Sequence, residues 1–560
     1  MAFRIKDARI PQIWDALKIL DNSAATATVR RSSLKYNKKK DSVELHFPLA
    51  SADSYEFNKI SDCEVSQHGK VPQLIMSLEK SKFIPDVLDS IISTPTSFWR
   101  TSPIFSSLAK EKILVEFSSP NIAKPFHMGH LRSTIIGNFI SNLLSGVGHD
   151  VVKINYLGDW GTQFGLLNVG LQLRQVTDEE IAANPIQVLY ESYVLANKEA
   201  QNDKEIMERA RHIFKQMEEG DFAETKRWET FRTYTIEELR RTYERLGVSF
   251  DEYQWESMFS AKDILSIIQE LESINILKKS PDGKKIVKVG NRDVTLVKSD
   301  GSTLYLTRDV AAAKFRFQQH NFDRLLYVVE NGQGDHFIAL KDILKNMNLP
   351  WSKGITHVKF GRIHGMSTRK GEVVFLQDIL DEACERSRSR QDNSKNTRVD
   401  SAGNSADVLG VSAVIINDLK QRRQRDYTFD WEKALQMQGD GGIRLQYTHC
   451  RLCSLEENSG ATPADESDPA LLSEPQATAL AIELGRFDEV LNASYEELEA
   501  CILVNYLFTL SNHISHALHH LQVKDQPPDV SSQRLRLFMA SKLVLSQGLQ
   551  ILGIKPLQKM

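Results

Sequence analysis

The chain reads as an α/β protein in several parts: a nucleotide-binding parallel sheet split by a helical insertion, a small α+β segment before it and an α-helical bundle after it. Three observations predict this. A short apolar run, Ile113-Leu114-Val115-Glu116-Phe117, passes through a loop of Ser, Pro, Asn, Gly and His into a long amphipathic stretch. A second strand signal, Leu325 to Val329, returns after an interruption of charged, helix-forming sequence. From Val408 to Leu552 helical periodicity dominates.

Size and composition agree with several parts. At 560 residues the chain exceeds the length over which one core keeps growing, and its 41% hydrophobic residues can fill more than one. Lys+Arg 70 against Asp+Glu 73 leaves a formal charge of -3, so a nucleic-acid partner must be held by local basic faces. The five cysteines, Cys63, Cys384, Cys450, Cys453 and Cys501, are too scattered for a disulfide framework and point to a reducing compartment. Cys450 and Cys453 follow His449 as a CxxC, but no second ligand pair accompanies them, so one face of an amphipathic helix is expected there. No apolar run reaches the ~20 residues that span a bilayer, so a soluble chain with no membrane partner is expected. Met1 to Leu20 carries Arg4, Lys6 and Arg9 with Asp7 and Asp15; it lacks a secretory apolar centre, and its acidic residues weaken a matrix-targeting reading.

Residues 1–100 combine a basic patch, Arg30-Arg31 and Lys38-Lys39-Lys40, with alternation at Val43-Glu44-Leu45-His46-Phe47 and an amphipathic stretch from Phe83 to Ile92. Such a patch is ordinarily a solvated face.

Residues 101–395 carry the nucleotide fold. Pro125 keeps Lys124 out of helical geometry, so the helix is expected to begin near His127, its free N–H groups and positive end facing the space above the sheet. Phosphate is the natural ligand there. His127 and His130 share one face of the first turn, and Gly129 between them leaves room for a purine ring. Apolar residues from Leu131 to Val147 continue the helix, and Gly146 and Gly148 stop it. Val151 to Tyr156 is the next strand, completing a βαβ unit of Rossmann-like type. Leu157-Gly158-Asp159-Trp160-Gly161 follows at that strand's carboxyl end, where open α/β sheets place ligands. From about 166 to 300 the sequence turns to long charged helices with no strand alternation before Lys285 to Val297, the pattern of an insertion.

The second half opens with Asp300 to Asp309. Tyr305 and Asp309 are four apart, so a helix that begins early stacks them on one face, an aromatic ring beside a carboxylate, which suits a guanidinium. After a strand at His357 to Phe360, the basic, glycine-flanked stretch to Gly371 suits closure over phosphates. Residues 386–407 read as a flexible linker or an exposed loop. Helices are then expected at Val408 to Leu419, Trp431 to Gln438, Gly442 to Glu456, Leu480 to Ala493, Ala500 to His520 and Leu535 to Leu552. The run Lys420-Gln421-Arg422-Arg423-Gln424-Arg425 is either a solvated helix end or an RNA contact. Neither a GxxxxGK[ST] loop nor a GxGxxG fingerprint occurs.

On these residues the chain resembles class I aminoacyl-tRNA synthetases, in the form carried by arginyl-tRNA synthetases, and within them the eukaryotic, mitochondrial form. Ser119 to His130 is similar to the HIGH region, with the match extending over Glu116 to Asn121 and Leu131-Arg132-Ser133-Thr134. Met366 to Lys370 resembles a degenerate KMSKS signature with Gly365 in place of its first lysine; the resemblance implies that Lys124 compensates, helped by Arg369 or Lys370. It further implies that residues 1–100 contact the tRNA elbow, that the insertion seats the acceptor end, and that 405–560 bind the anticodon, with Tyr447 among the tRNA contacts.

The implied arginine site is Glu116, Ser119, Pro120, Asn121, His130, Tyr305, Asp309 and Gln333. The implied ATP site is His127, Gly129, His130, Met366, Ser367, Arg369 and Lys370, with His127, His130 and Lys124 as the catalytic groups. The expected reaction activates L-arginine with ATP and transfers it to the terminal adenosine of tRNA(Arg). ATP brings Mg²⁺ as a substrate complex, and no tightly bound metal or organic cofactor is expected. A monomer is expected, in the mitochondrial matrix or alternatively the cytoplasm. Two rivals are a non-catalytic tRNA-binding paralogue, suggested by the missing signature lysine, and a non-tRNA nucleotidyltransferase, disfavoured by the helical C-terminal third.

Overall fold

The computed structural model describes residues 33–37, 39–40, 42–48, 63–66, 73–121, 126, 128–218, 222–365, 376–392, 405–436 and 439–560. Strands are numbered in chain order, and helices in the order in which they are introduced.

The amino-terminal part is an antiparallel sheet of β1 (Ser33–Asn37), β2 (Ser42–Pro48), β3 (Cys63–Ser66) and β4 (Gln73–Leu78), in the order β1-β2-β4-β3. Val43, Leu45 and Phe47 alternate onto its buried face, where α1 (Lys80–Ser93) contributes Phe83, Val87 and Ile91. Helix α1 is tied to the carboxy-terminal bundle: Asp89 accepts from Arg536 at 2.7 Å and from Ser467 at 2.6 Å. Of the basic patch, Lys40 pairs at the surface with Glu64, while Arg30, Arg31 and Lys38 lie outside the described residues.

The centre is a five-stranded parallel sheet in the order β12-β11-β5-β6-β7. Its strands are β5 (Lys112–Glu116), β6 (Asp150–Leu157), β7 (Glu252–Trp255), β11 (Arg324–Glu330) and β12 (Ile355–Phe360). Ile113, Leu114 and Val115 are fully buried, as a strand covered on both faces requires. Helix α2 (Met128–Gly146) crosses from β5 to β6. The order reverses at β5, which puts the ligand crevice at the carboxyl ends of β5 and β11.

Between β6 and β7 lie helices α3 (Thr162–Arg174), α4 (Pro185–Asn202), α5 (Lys204–Glu218) and α6 (Phe222–Arg245). A Cβ at Gly165 would fall 1.9 Å from the Ala210 carbonyl oxygen, so only glycine lets α3 and α5 meet backbone to backbone. The stretch without strand alternation nevertheless returns to the sheet at β7. Four residues are too few for a period of two to stand out, and their partner is the distant β6. Helix α7 (Ala261–Ser273) and an antiparallel trio, β8 (Leu277–Lys279), β9 (Lys285–Val289) and β10 (Arg292–Val297), then lead to α8 (Tyr305–His320).

Helix α9 (Gly334–Asn346) joins β11 to β12, and a two-residue strand β13 (Ile363–His364) follows, paired in parallel with β14 (Tyr427–Thr428). The linker reading of 386–407 is corrected at both ends: α10 runs Leu376–Asp392 and α11 begins at Ser405, running to Leu419. Its polar residues serve packing. Gln391 Nε2 donates to Ser405 Oγ at 3.1 Å and Arg390 Nη1 to the Leu435 carbonyl at 2.6 Å, both invisible to composition. Residues 393–404 lie outside the described residues.

The basic run 420–425 follows α11 as a strap: the half-buried Arg423 donates to the Lys359 carbonyl at 2.6 Å, and its backbone N–H donates to Glu499. The carboxy-terminal bundle contains α12 (Gly442–Asn458), and the helix expected at Leu480 to Ala493 is two, Pro475–Gly485 and Phe487–Glu497, broken at Arg486. His449, Cys450 and Cys453 close this bundle over the chain end, with His449 Nδ1 2.7 Å and Cys450 Sγ 3.3 Å from the Leu557 carbonyl. Among the described residues no helix is long and apolar enough to cross a membrane.

Candidate active site

The loop after β5 leaves ordinary backbone geometry at once. Ser118 and Ser119 both adopt left-handed conformations, φ 70° and 45°, which cost free energy in a residue with a Cβ unless neighbours hold them. Here they are held. Ser118 N–H donates to Ser133 Oγ at 2.9 Å, and Ser133 Oγ donates to the Val328 carbonyl at 2.7 Å. Ser118 Oγ lies 2.7 Å from the buried Tyr243 hydroxyl of α6 and accepts from Thr134 at 2.8 Å. Asn155 of β6 completes the frame: its carbonyl oxygen accepts Ser119 N–H at 3.1 Å and its amide donates to Tyr243 at 3.0 Å.

Pro120 is buried beyond this loop and Asn121 forms a parallel bridge with Gly158. Helix α2 begins at Met128, as Pro125 predicts. Gly129 and His130 lie in its first turn, half-buried, with the His130 ring stacked on Phe126 at 5.4 Å and Phe126 edge-on to Tyr243 at 5.6 Å. Lys124 and His127 lie outside the described residues, as do Met366, Ser367, Arg369 and Lys370. The flanks of the signature stretch are nonetheless fastened to this motif. Arg132 of α2 donates to the Gly361 carbonyl at 2.6 Å, and Leu376 N–H donates to the Phe126 carbonyl at 3.0 Å. Arg132 is itself buried, 3.2 Å from Asp418 and over the Tyr427 ring at 5.1 Å.

Across the crevice stands an acidic pocket. Helix α8 begins at Tyr305, so Tyr305 and Asp309 do share a face. The Tyr305 ring is 58% exposed and stacks on His336 at 4.9 Å, while Asp309 Oδ2 pairs with His336 Nε2 at 2.7 Å. Gln333 is exposed on the turn between β11 and α9. A cavity of about 370 Å³ opens beside Tyr305 and His336.

Glu116, expected to select a substrate guanidinium, has one oxygen committed to a guanidinium of the chain itself. Arg316 of α8, fully buried, donates to Glu116 Oε2 at 2.5 Å and to Gln254 at 2.8 Å, and lies over the Tyr156 ring at 5.0 Å. The remaining oxygen, Oε1, accepts from Ser119 Oγ at 3.4 Å. The sequence did not point to Glu256, which immediately follows β7. Burial first, and then the negative charge of Asp309, push the Glu256 carboxyl up to about 7. Burial and the same Asp309 charge raise the Tyr156 hydroxyl well above its usual range. Glu256 and Asp309 thus share a partly desolvated space in which a cation would relieve their repulsion. The signal for Glu256 was the missed strand β7, and that for His336 was its place in the first turn of α9.

Tyr447 lies far along the sequence on α12, 46% exposed, with Arg451 at 5.8 Å from its ring. Among the described residues no group of three or more His, Cys, Asp or Glu is arranged to hold a metal ion.

Known proteins resemble this chain over both of its larger parts. Residues 102–431 match the family model described as tRNA synthetases class I (R), catalytic domain, and residues 445–560 match the DALR anticodon binding domain. A mouse protein named probable arginine–tRNA ligase, mitochondrial, is 44% identical over 480 residues, covering 85% of this chain and 83% of that protein. The cytoplasmic arginine–tRNA ligase of Saccharomyces cerevisiae is 39% identical over 468 residues, covering 80% and 77%. The fold is similar to that of Thermus thermophilus arginyl-tRNA synthetase, with a TM-score of 0.80 at 18% identity over the whole of both chains.

Proposed function

The chain belongs to the class I arginyl-tRNA synthetase family and is an arginine–tRNA ligase, and from that premise we propose how its own residues divide the work. Catalysis is ATP-dependent, with tRNA, arginine and ATP as substrates. Asp309, Glu256 and Tyr305 seat the substrate guanidinium, with Glu116 and Arg316 as a neutralised wall behind them. Asn121 and Gln333 take the α-amino end, beside Ser119 and Pro120. The observation that carries this reading is the pair of half-buried carboxylates, Glu256 just after β7 and Asp309 on α8, whose negative charges act on one another. A planar two-pronged cation satisfies both, whereas an ammonium cannot, which rejects lysine.

In the first step an oxygen of the arginine carboxylate bonds to the α-phosphorus of ATP as the bond to pyrophosphate breaks. No side chain has to become a nucleophile, so the protein acts by alignment and by stabilising charge on the departing phosphates. His130, at the positive end of α2, stands on the phosphate side; His127, Lys124 and Met366 to Lys370 are proposed to join it on the strength of the motif alone. Mg²⁺ enters with ATP as part of that substrate.

Relatives of this chain are named as both mitochondrial and cytoplasmic. We assign this chain to the mitochondrial matrix, to be tested by locating a tagged full-length protein. The functional test is aminoacylation of tRNA with labelled arginine and with labelled lysine. Charging by arginine that is lost in Asp309→Asn supports the pocket. Unchanged charging and unchanged discrimination against lysine would refute it.

A further inference from the structure

The stretch Leu157 to Gly161, which ends β6, takes no part in the site as described, yet two arms of the arginine pocket rest on it. One arm is Asn121. Gly158 bridges it, Gly158 N–H donates to the Pro120 carbonyl at 3.1 Å, and a Cβ at Gly158 would fall 2.9 Å from Asn121 Nδ2. Any side chain there would have to push the Asn121 amide aside.

The other arm is Glu256. The residue before it, Trp255, is the last of β7 and lies in register with Leu157. The residue after it, Ser257, is gripped by the fully buried Asp159: Oδ1 accepts Ser257 N–H at 2.9 Å and Oδ2 accepts Ser257 Oγ at 2.6 Å. Glu256 therefore stands on a single residue held from both sides. The insertion helix α6 locks the grip, since Trp228 Nε1 donates to the Asp159 carbonyl at 3.0 Å and Arg232 lies 4.0 Å from Asp159 Oδ2. The Arg232 guanidinium is sandwiched between the Trp228 and Trp255 rings at 4.6 and 4.7 Å.

We infer that Asp159 is a positioning residue for arginine recognition, holding Glu256 in the pocket through its two hydrogen bonds to Ser257 while Gly158 holds Asn121. The inference rests on the reading of Glu256 as a pocket carboxylate. Side-chain charge is useful only at the right place, and a displacement of about 1 Å can cost a hundredfold in rate. Among the described residues Asp159 meets Ser257, Trp228 and Arg232 and not the flanks of the signature stretch, so the consequence of losing it falls on arginine and not on ATP. A buried aspartate that merely closed a turn would show in thermal stability and would not distinguish the substrates.

The test is steady-state aminoacylation by the full chain, varying arginine and ATP separately, for Asp159→Asn, Ser257→Ala, Glu256→Gln and the Asp159→Asn/Glu256→Gln pair. Asp159→Asn is expected to raise the KM for arginine about tenfold, and Ser257→Ala about threefold, with the KM for ATP unchanged. The pair is expected to be no worse than Glu256→Gln alone, because the positioning residue acts only through the group it positions. If arginine and ATP KM rise together, or if the two effects multiply in full, Asp159 is structural and the inference falls. If Glu256→Gln raises the arginine KM while Asp159→Asn and Ser257→Ala leave it unchanged, the inference alone falls. A Glu256→Gln enzyme with unchanged arginine KM overturns the pocket reading itself. Should Asp159→Asn fail to fold, Ser257→Ala, which removes one hydroxyl, decides the matter.

Discussion

The two walls of the crevice are built from different physics. The loop after β5 is framed by neutral groups: Ser118, Ser133, Thr134, Asn155 and Tyr243, each hydrogen-bonded within a buried network. The opposite wall is built from charge: Asp309 on His336, Glu116 on Arg316, Asp159 on Ser257, and the half-buried Glu256 beside them. A neutral network fixes shape and is indifferent to pH and salt, which suits a loop that must keep two serines in left-handed geometry. A charged wall gives selectivity for a cation and makes affinity sensitive to protonation. The comparison predicts that changes in the charged wall act on guanidinium selection and its pH dependence, and that changes in the neutral wall act on the alignment of the chemical step.

The largest effect should come from the charged wall. Asp309→Asn keeps a hydrogen-bonding group beside His336, so the fold should survive, but it removes one of two carboxylates from the pocket. A loss of about a hundredfold or more in kcat/KM for arginine is expected, with the KM for ATP unmoved, read by pyrophosphate exchange with tRNA present. Equal losses for both substrates would mean that the walls are not separate.

The pH dependence sharpens the same contrast. The Glu256 carboxyl, held near 7 by burial and by Asp309, carries its proton below that value. A guanidinium needs the ionised form, so arginine binding releases the proton. Affinity should therefore rise with pH up to about 7 and level off above it, changing about tenfold per unit on the acid side. Glu256→Gln should flatten this profile, and the KM for ATP should show no such step. A profile that persists in Glu256→Gln would assign the proton to another group.

Much of this architecture was legible, and the exceptions have physical causes. The start of α2 could be read because Pro125 restricts its neighbour and because the apolar period from Leu131 is long. Tyr305 and Asp309 could be paired because four residues make a helical turn. Glu256 could not, since β7 has four residues and its identity as a strand comes from pairing with β6, nearly a hundred residues away. The polar residues of 386–392 read as linker because composition does not show that Arg386 meets Glu382 and Gln391 meets Ser405. Glu116 read as a free carboxylate because nothing local announces Arg316, two hundred residues on. For Glu256 and Glu116 the deciding contact was remote in sequence.

The neutral wall offers a smaller effect of another kind. Tyr243→Phe preserves the ring contacts with Phe126 and Phe250 but deletes the hydroxyl that meets Ser118 and Asn155. One buried amide loses its acceptor, which costs about 1–3 kcal/mol. Thermal unfolding should register that loss. The strained Ser118-Ser119 pair is then free to relax, so kcat should fall severalfold while the pH profile of arginine binding stays as in the unaltered chain.

The smallest change lies outside the crevice. Tyr447, exposed on α12 beside Arg451, belongs to the segment that matches the anticodon binding domain. A solvent-facing aromatic next to a guanidinium is a stacking platform for a base, worth about 1–3 kcal/mol when truncated. Tyr447→Ala should raise the KM for tRNA and leave the arginine KM, the ATP KM and the pH profile untouched, because among the described residues no side chain of the two walls contacts it. An altered arginine KM in that variant would show that the bundle communicates with the pocket, and the Arg132 contacts to Gly361 and Asp418, which join α2 to the end of β12 and to α11, would then be the route to examine by Asp418→Asn.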